Sequence, residues 1–218
     1  MIGDGGEDPG TAQTLVDEPR SKILRLNPDG SVPGSNPFGT AVWSFGHRNS
    51  IGFAFDPISG RLWQSENGPE CNDELNRIVG GGNFAWGPAQ ACDTPPTPAD
   101  TNRDGPDPRR LPQHTFADTV AATGVAFCDG CGLGARYDGE LFAGCANGNC
   151  KATVGPAMHA PLDPGRWTFA APPRAAPLTN YDGPVYSMEV SPGGRLYFSD
   201  GQGRLPTRAI ESRSPMIR

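Results

Sequence analysis

The sequence predicts an all-β protein assembled from hairpins. Residues 51–63 and 185–198 each alternate apolar and polar side chains on both sides of a turn that contains Pro or Gly. This is the pattern of half-buried strands in a hairpin. A looser copy runs from 125 to 142, and no long amphipathic helix pattern is present. The 30 glycines and 24 prolines punctuate apolar runs and form no tracts, which indicates a turn-rich fold and not disorder.

The hairpin copies recur at intervals of about 60–70 residues, which fits a propeller blade that carries an inserted loop. We therefore predict one partial β-propeller domain over residues 1–203, with three to four blades that do not close a ring. Within it, residues 92–113 are rich in Pro, Asp and Thr and are expected to form a long surface loop. Residues 204–218 have no periodicity and are expected to form an irregular tail.

Charge and hydropathy exclude several classes of partner. The net charge of −6 argues against a nucleic-acid partner. No apolar run approaches the length of a membrane span, so no such span is predicted. The first six residues read like the end of a strand that enters a turn, and they lack the charged-then-apolar pattern of a signal peptide. The chain is accordingly expected to be a partial gene product or to have a misassigned start.

The six cysteines are an even number, as expected for three disulfides in an exported, secreted or periplasmic protein. Sequence alone leaves the pairing open, and proximity alone favours Cys71–Cys92, Cys128–Cys131 and Cys145–Cys150. The alternative is a zinc-stabilised interaction domain that uses the four later cysteines.

Residues 64–78 combine a Gly-Pro turn with a cluster of oxygen-bearing side chains. Such a loop can present backbone carbonyls and carboxylates to a hard cation such as calcium. Residues 100–105 resemble the first half of a helix–loop–helix calcium loop, but Leu111 stands where the closing Glu belongs, so we interpret them as a plain turn. The sequence contains no serine nucleophile elbow, no phosphate-binding loop and no Rossmann fingerprint.

Four motifs follow one another in the order seen in a known family: residues 46–49 (Gly-His-Arg-Asn), 55–57 (Phe-Asp-Pro), 64–78 and 82–87 (Gly-Asn-Phe-Ala-Trp-Gly). With the strand-and-turn segment 22–30, they resemble the glucose/sorbosone dehydrogenase family, which contains the soluble quinoprotein sugar dehydrogenases. The resemblance implies part of a six-bladed β-propeller that uses pyrroloquinoline quinone (PQQ) and calcium. It also implies oxidation of an aldose by hydride transfer to PQQ, followed by electron transfer to an external acceptor.

The resemblance assigns cofactor roles to five residues. Arg48 and Asn49 would touch the quinone, and Asn67 would reach it with its side chain. Gly68 and Pro69 would bind the cofactor's calcium through their backbone carbonyls. Without the family match, Arg48 and Asn49 could simply cap the hairpin.

Three further residues receive roles from the resemblance. Asp73 and Glu74 would help to form a second calcium site, although the segment could also be a turn that satisfies its own backbone. Asp4 would be catalytic, because it orients the histidine that acts as general base. That histidine lies upstream of the aspartate in the family, and the three histidines of this chain are expected to be surface or loop residues: His47, His114 and His159.

The chain departs from the family in its cations: the family's later lysine falls at Asn147, and its paired arginines fall near Tyr186 and Met188. The alternative function is therefore a non-catalytic propeller, stabilised by calcium and disulfides, that binds sugar or protein. A homodimer is a further possibility that the sequence leaves open.

Overall fold

A computed structural model describes residues 9–14, 18–89, 92, 104–147, 150, 154–178, 181, 183–200 and 208–209. Within these ranges the chain forms one short α-helix, α1 (Pro9–Ala12), one 3-10 helix (Ala135–Tyr137) and thirteen β-strands. The strands are β1 (Lys22–Leu24), β2 (Val42–Phe45), β3 (Asn49–Phe55), β4 (Leu62–Asn67), β5 (Cys71–Ile78), β6 (His114–Asp118), β7 (Ala122–Phe127), β8 (Leu141–Cys145), β9 (Ala157–Ala160), β10 (Arg174–Ala175), β11 (Val185–Val190), β12 (Leu196–Asp200) and β13 (Arg208–Ala209).

The strands form four sheets in which neighbours are consecutive in the chain. Their orders are β1–β2, β3–β4–β5–β6, β7–β8–β9–β10 and β11–β12–β13. In the antiparallel pair β5–β6, Asp73 lies opposite Phe116, and in β7–β8, Ala126 lies opposite Phe142. The three hairpins predicted from alternating residues correspond to β3–β4, β7–β8 and β11–β12, and the all-β class is confirmed.

The chain divides into two compact units. The first comprises Met1–Ile51 and Gln64–Thr119, and the second comprises Gly52–Trp63 and Val120–Arg218. The described part of the predicted 92–113 loop contains no strand. The tail predicted to be irregular over 204–218 differs in one respect, because Arg208–Ala209 pairs with β12 as β13. The rest of that tail lies outside the described residues.

The core of the second unit is apolar. Its central cluster comes from β7, β8, β9, β11 and β12 together with the loop after β7. Trp63 is fully buried, and its ring lies 5.0 Å from that of Phe169 and 6.4 Å from that of Phe127. Gly124 of β7 lies so close to β11 that a Cβ there would stand 2.5 Å from the Cα of Ser187.

The first unit buries many polar groups in addition to apolar ones such as Phe45, Leu75 and Phe84. Residues 72–76 of β5 include four polar side chains, and all four are buried. Burying a polar group costs free energy unless the group is hydrogen-bonded, so these four side chains are expected to have partners inside the protein.

The three disulfides join Cys71 to Cys92, Cys128 to Cys131 and Cys145 to Cys150. The preferred pairing is therefore confirmed. The zinc interpretation is wrong, because all four cysteines that it requires are disulfide-bonded. Among the described residues, no helix is long and apolar enough to cross a membrane.

Lys22 begins β1 with 1% of its surface exposed. Its Nζ donates to the carbonyl oxygens of Thr11 at 2.8 Å and Arg20 at 2.9 Å. Burial disfavours the charged ammonium and lowers the pKa of Lys22 to about 8.

The first prediction concerns the contact between β7 and β11. Gly124→Ala should lower the free energy of unfolding by about 1–3 kcal/mol, because the added methyl group overpacks a backbone contact that cannot yield cheaply. Gly193→Ala is the matched control, since a Cβ at Gly193 would meet only the Ser191 hydroxyl, at 3.8 Å. Urea unfolding measures both variants, and equal stabilities would contradict the prediction.

The second prediction concerns Lys22. Because its pKa lies near 8 in the folded chain and 10.5 is its ordinary value, the unfolded chain binds more protons within that interval. The contribution of Lys22 to the free energy of unfolding should therefore rise with pH across the same interval. Lys22→Met should flatten this rise in urea unfolding measured at about pH 7.5 and about pH 9.5. A pH dependence that is identical in the two proteins would show that the lysine is not responsible.

Candidate functional site

The candidate site lies where two connections of the first unit meet. Residues 46–48 connect β2 to β3, and residues 68–70 connect β4 to β5. In a β-hairpin, the residues that begin the first strand lie beside those that end the second. The connection that contains Arg48 therefore lies beside Asn67 and Gly68.

Arg48 binds this neighbouring connection directly. Its Nη1 donates to the carbonyl oxygen of Asn67 at 2.9 Å and to that of Gly68 at 2.5 Å. Its guanidinium carbon lies 5.3 Å from the centre of the Trp86 ring, within the range of a cation–π contact. The buried Nε of Arg48 has no hydrogen-bond partner in the described part of the chain.

The carboxylate of Glu66 holds the two connections together from inside the protein. One oxygen, Oε1, accepts from the backbone N–H of Arg48 at 2.5 Å. The other, Oε2, lies 2.9 Å from His47 Nδ1 and accepts from Gln64 Nε2 at 2.9 Å. Glu66 is only 3% exposed, so these donors replace the water that would otherwise solvate its charge.

His47 lies in the loop that connects β2 to β3, which agrees with the predicted surface or loop position. It is nevertheless buried, and both ring nitrogens are bonded inside the protein. Nε2 lies 2.9 Å from Ser44 Oγ, Nδ1 faces Glu66, and the ring stacks on Phe84 at 4.5 Å.

The other two histidines differ from the predicted surface or loop position, because they lie in strands and are half-buried. His114 begins β6, where burial lowers its pKa. His159 in β9 pairs through Nδ1 with Glu140.

The Gly68 turn is braced by Asp73. The backbone N–H of Gly68 donates to Asp73 Oδ1 at 2.8 Å, and Thr119 Oγ1 donates to Asp73 Oδ2 at 3.0 Å. A side chain at Gly68 would overlap the carbonyl of Cys71, so the turn requires glycine. Pro69 is exposed at the outer end of the turn.

Asp73 and Glu74 are adjacent in β5, so their side chains point to opposite faces of the sheet. Glu74 accepts from Asn76 Nδ2 at 3.0 Å, whereas Asp73 serves the Gly68 turn. In the part of the chain that the structure describes, no three His, Cys, Asp or Glu side chains are grouped to hold a metal ion. The second calcium site remains a prediction, and bracing of the turn is the role that the contacts support for Asp73.

The donor set of the turn suits the cofactor that the resemblance implies. The carbonyls of Gly68 and Pro69 are hard oxygen donors of the kind that calcium prefers. Asn67 Oδ1 is a buried acceptor with no hydrogen-bond partner among the described residues, so it is available to a donor or cation. The guanidinium of Arg48 suits a carboxylate.

The structure brings Arg48, Asn67 and Gly68 into contact and places Asn49 next to them, half-buried at the start of β3. Asp4 lies outside the described residues. Sequence reasoning missed Glu66 and His47. The one available signal was that each is a titratable residue directly before a predicted cofactor-binding residue, Glu66 before Asn67 and His47 before Arg48.

Comparison with known proteins identifies the family of this chain. The family model for glucose/sorbosone dehydrogenase matches residues 1–159, and the chain belongs to that family. Quinoprotein glucose dehydrogenase B of Acinetobacter calcoaceticus is 52% identical over 69 residues, which are 30% of this chain and 14% of that protein. Aldose sugar dehydrogenase YliI of Escherichia coli K12 is 38% identical over 91 residues, which are 39% of this chain and 24% of that protein.

The PQQ-bound form of the aldose sugar dehydrogenase from Streptomyces coelicolor matches the fold with a TM-score of 0.66 and 26% identity. The match covers 94% of this chain and 55% of that one. The chain thus spans about half the length of this solved structure and a smaller part of the two sequence relatives. The predicted fold, an incomplete β-propeller of the quinoprotein dehydrogenase type, is confirmed.

The third prediction tests Glu66. Glu66→Gln should lower the free energy of unfolding by about 1–3 kcal/mol, because glutamine has one acceptor oxygen where Glu66 has two, and its amide nitrogen cannot accept from any of these donors. Glu70→Gln is the matched control, since Glu70 is exposed in the adjacent turn. Thermal and urea unfolding provide the comparison, and equal losses in the two variants would refute a special role for Glu66.

Proposed function

We propose that this chain forms part of a PQQ-dependent sugar dehydrogenase that oxidises an aldose at its anomeric hydroxyl. The observation that carries the proposal is the contact of the Arg48 guanidinium with the Asn67 and Gly68 carbonyls. It brings together a cation suited to a carboxylate and the oxygen donors suited to calcium. Family membership supports the same reaction class.

Different residues of the site would bind calcium and the quinone. The carbonyls of Gly68 and Pro69 would hold calcium, and Arg48, Asn49 and Asn67 would hold the quinone. When bound, the quinone would supply the hydride acceptor for sugar oxidation, and the metal would supply a charge that polarises a quinone carbonyl. The hydrogen bond from Gly68 N–H to Asp73 keeps the carbonyl of the turn in position.

The reaction also requires a general base for the proton of the anomeric hydroxyl. His47 is unsuited to this role, because Ser44 and Glu66 hold it inside the protein. Asp4 is proposed to orient the base, as the resemblance implies. An external acceptor would then remove the electrons, and the three disulfides favour an oxidising, secreted or periplasmic location for the protein.

The alternative is a non-catalytic module that binds sugar or protein. One observation favours it: the Gly68 carbonyl already accepts from Arg48, so the site is internally bonded without a cofactor. In that case, calcium and disulfides would only stabilise the fold.

The fourth prediction tests cofactor uptake. The purified chain is titrated with PQQ in the presence of calcium, and the PQQ absorbance band reports binding. Asn67→Ala should weaken uptake about tenfold, because it removes a buried acceptor that no described residue satisfies and that a ligand could use. Asn27→Ala, at an exposed turn of the same unit, should leave uptake unchanged.

Dye reduction with a panel of aldoses then follows on the loaded chain. Reduction that depends on both PQQ and sugar supports the dehydrogenase. Absence of cofactor uptake by the unmodified chain would instead favour the binding module.

A further inference from the structure

We infer that the Arg48 side chain and calcium compete for the carbonyl oxygen of Gly68, so that Arg48 couples calcium binding to binding of an anionic cofactor. The inference rests on the proposed function, because it concerns the same site. It goes beyond that function by assigning Arg48 a second position and a regulatory role. It follows from the charge, partners and burial of Arg48.

Arg48 occupies the oxygen that calcium would need. Arg48 Nη1 lies 2.5 Å from the Gly68 oxygen, a short hydrogen bond assisted by the charge of the guanidinium. A calcium ion on the same oxygen would lie about 2.3–2.6 Å from it. The two cations would then be at most about 5 Å apart in a partly buried setting, where like charges repel strongly.

The Arg48 side chain can leave the Gly68 oxygen while the Arg48 backbone stays in place. The backbone N–H of Arg48 is bonded to Glu66, which is buried and itself held by His47 and Gln64. The side chain is less constrained, because its Nε is buried without a partner among the described residues. Arg48 therefore has an incompletely satisfied side chain on a fixed backbone, an arrangement that favours a change of rotamer over a movement of the loop.

A carboxylate is the group that would draw the Arg48 side chain away from Gly68. The planar guanidinium binds a carboxylate through two parallel hydrogen bonds, which neither the Asn67 carbonyl nor the Gly68 carbonyl can offer. The quinone is a tricarboxylate. A carboxylate on Arg48 would neutralise the repelling charge and release the Gly68 oxygen. Calcium and the quinone would then strengthen each other's binding by the same factor, as linkage requires.

The test measures calcium affinity by isothermal titration calorimetry, with and without PQQ, in the unmodified chain and in Arg48→Gln. Without PQQ, the variant should bind calcium about tenfold more tightly, because a charge-assisted bond no longer occupies the oxygen. In the variant, PQQ should raise calcium affinity by a smaller factor than in the unmodified chain, because the part of the coupling that Arg48 mediates is lost. Arg25→Gln is the control, since Arg25 is an exposed arginine in the same unit.

Arg48→Lys separates charge from shape. Because it keeps the cation, its calcium affinity without PQQ should stay near that of the unmodified chain. Circular dichroism and thermal melting establish that each variant is folded, and Arg48→Ala replaces Arg48→Gln if the glutamine variant is not.

Equal calcium affinity in the unmodified chain and Arg48→Gln would overturn the competition while leaving the proposed function intact. If neither protein bound calcium or PQQ, both proposals would fail. Calcium binding by Arg48→Gln alone would be the strongest support for the competition.

Discussion

The site depends on one buried carboxylate. Glu66 accepts from the Arg48 backbone, from His47 and from Gln64, and these donors belong to two segments that the chain separates by more than a dozen residues. An ionised carboxylate inside a protein is tolerated only when its oxygens are hydrogen-bonded. The two segments meet this requirement by converging on Glu66, and Arg48 is thereby held beside the Gly68 turn.

Strand β5 extends the same constraint. It is buried on both faces, yet its middle carries polar side chains whose oxygens would otherwise be solvated. Asp73 satisfies the Gly68 turn from one face, and Glu74 and Asn76 bond each other on the other face. Of the residues that look like a metal-binding cluster in the sequence, Asp73 thus supports the Gly68 turn, whereas Glu74 and Asn76 satisfy each other.

Arg48 belongs both to this hydrogen-bonded network and to the proposed cofactor site. The resemblance predicts an arginine that faces the cofactor, and the structure shows the same arginine on the carbonyl of a predicted calcium ligand. The two positions are compatible if only the side chain moves. In the competition that we propose, the guanidinium would stay on the oxygen until an anion offers it better geometry.

The sequence by itself determined the all-β class, the hairpins and the family, because period-2 alternation and turn residues are local signals, as are ordered motifs. It favoured the observed disulfide pairing on proximity alone, while other pairings stayed open. The tertiary structure alone decided that His47 is buried and that Glu66 organises the site, because their partners lie on other segments. Whether a polar residue contacts solvent, a ligand or another buried side chain depends on which strands become neighbours, and local sequence does not encode this.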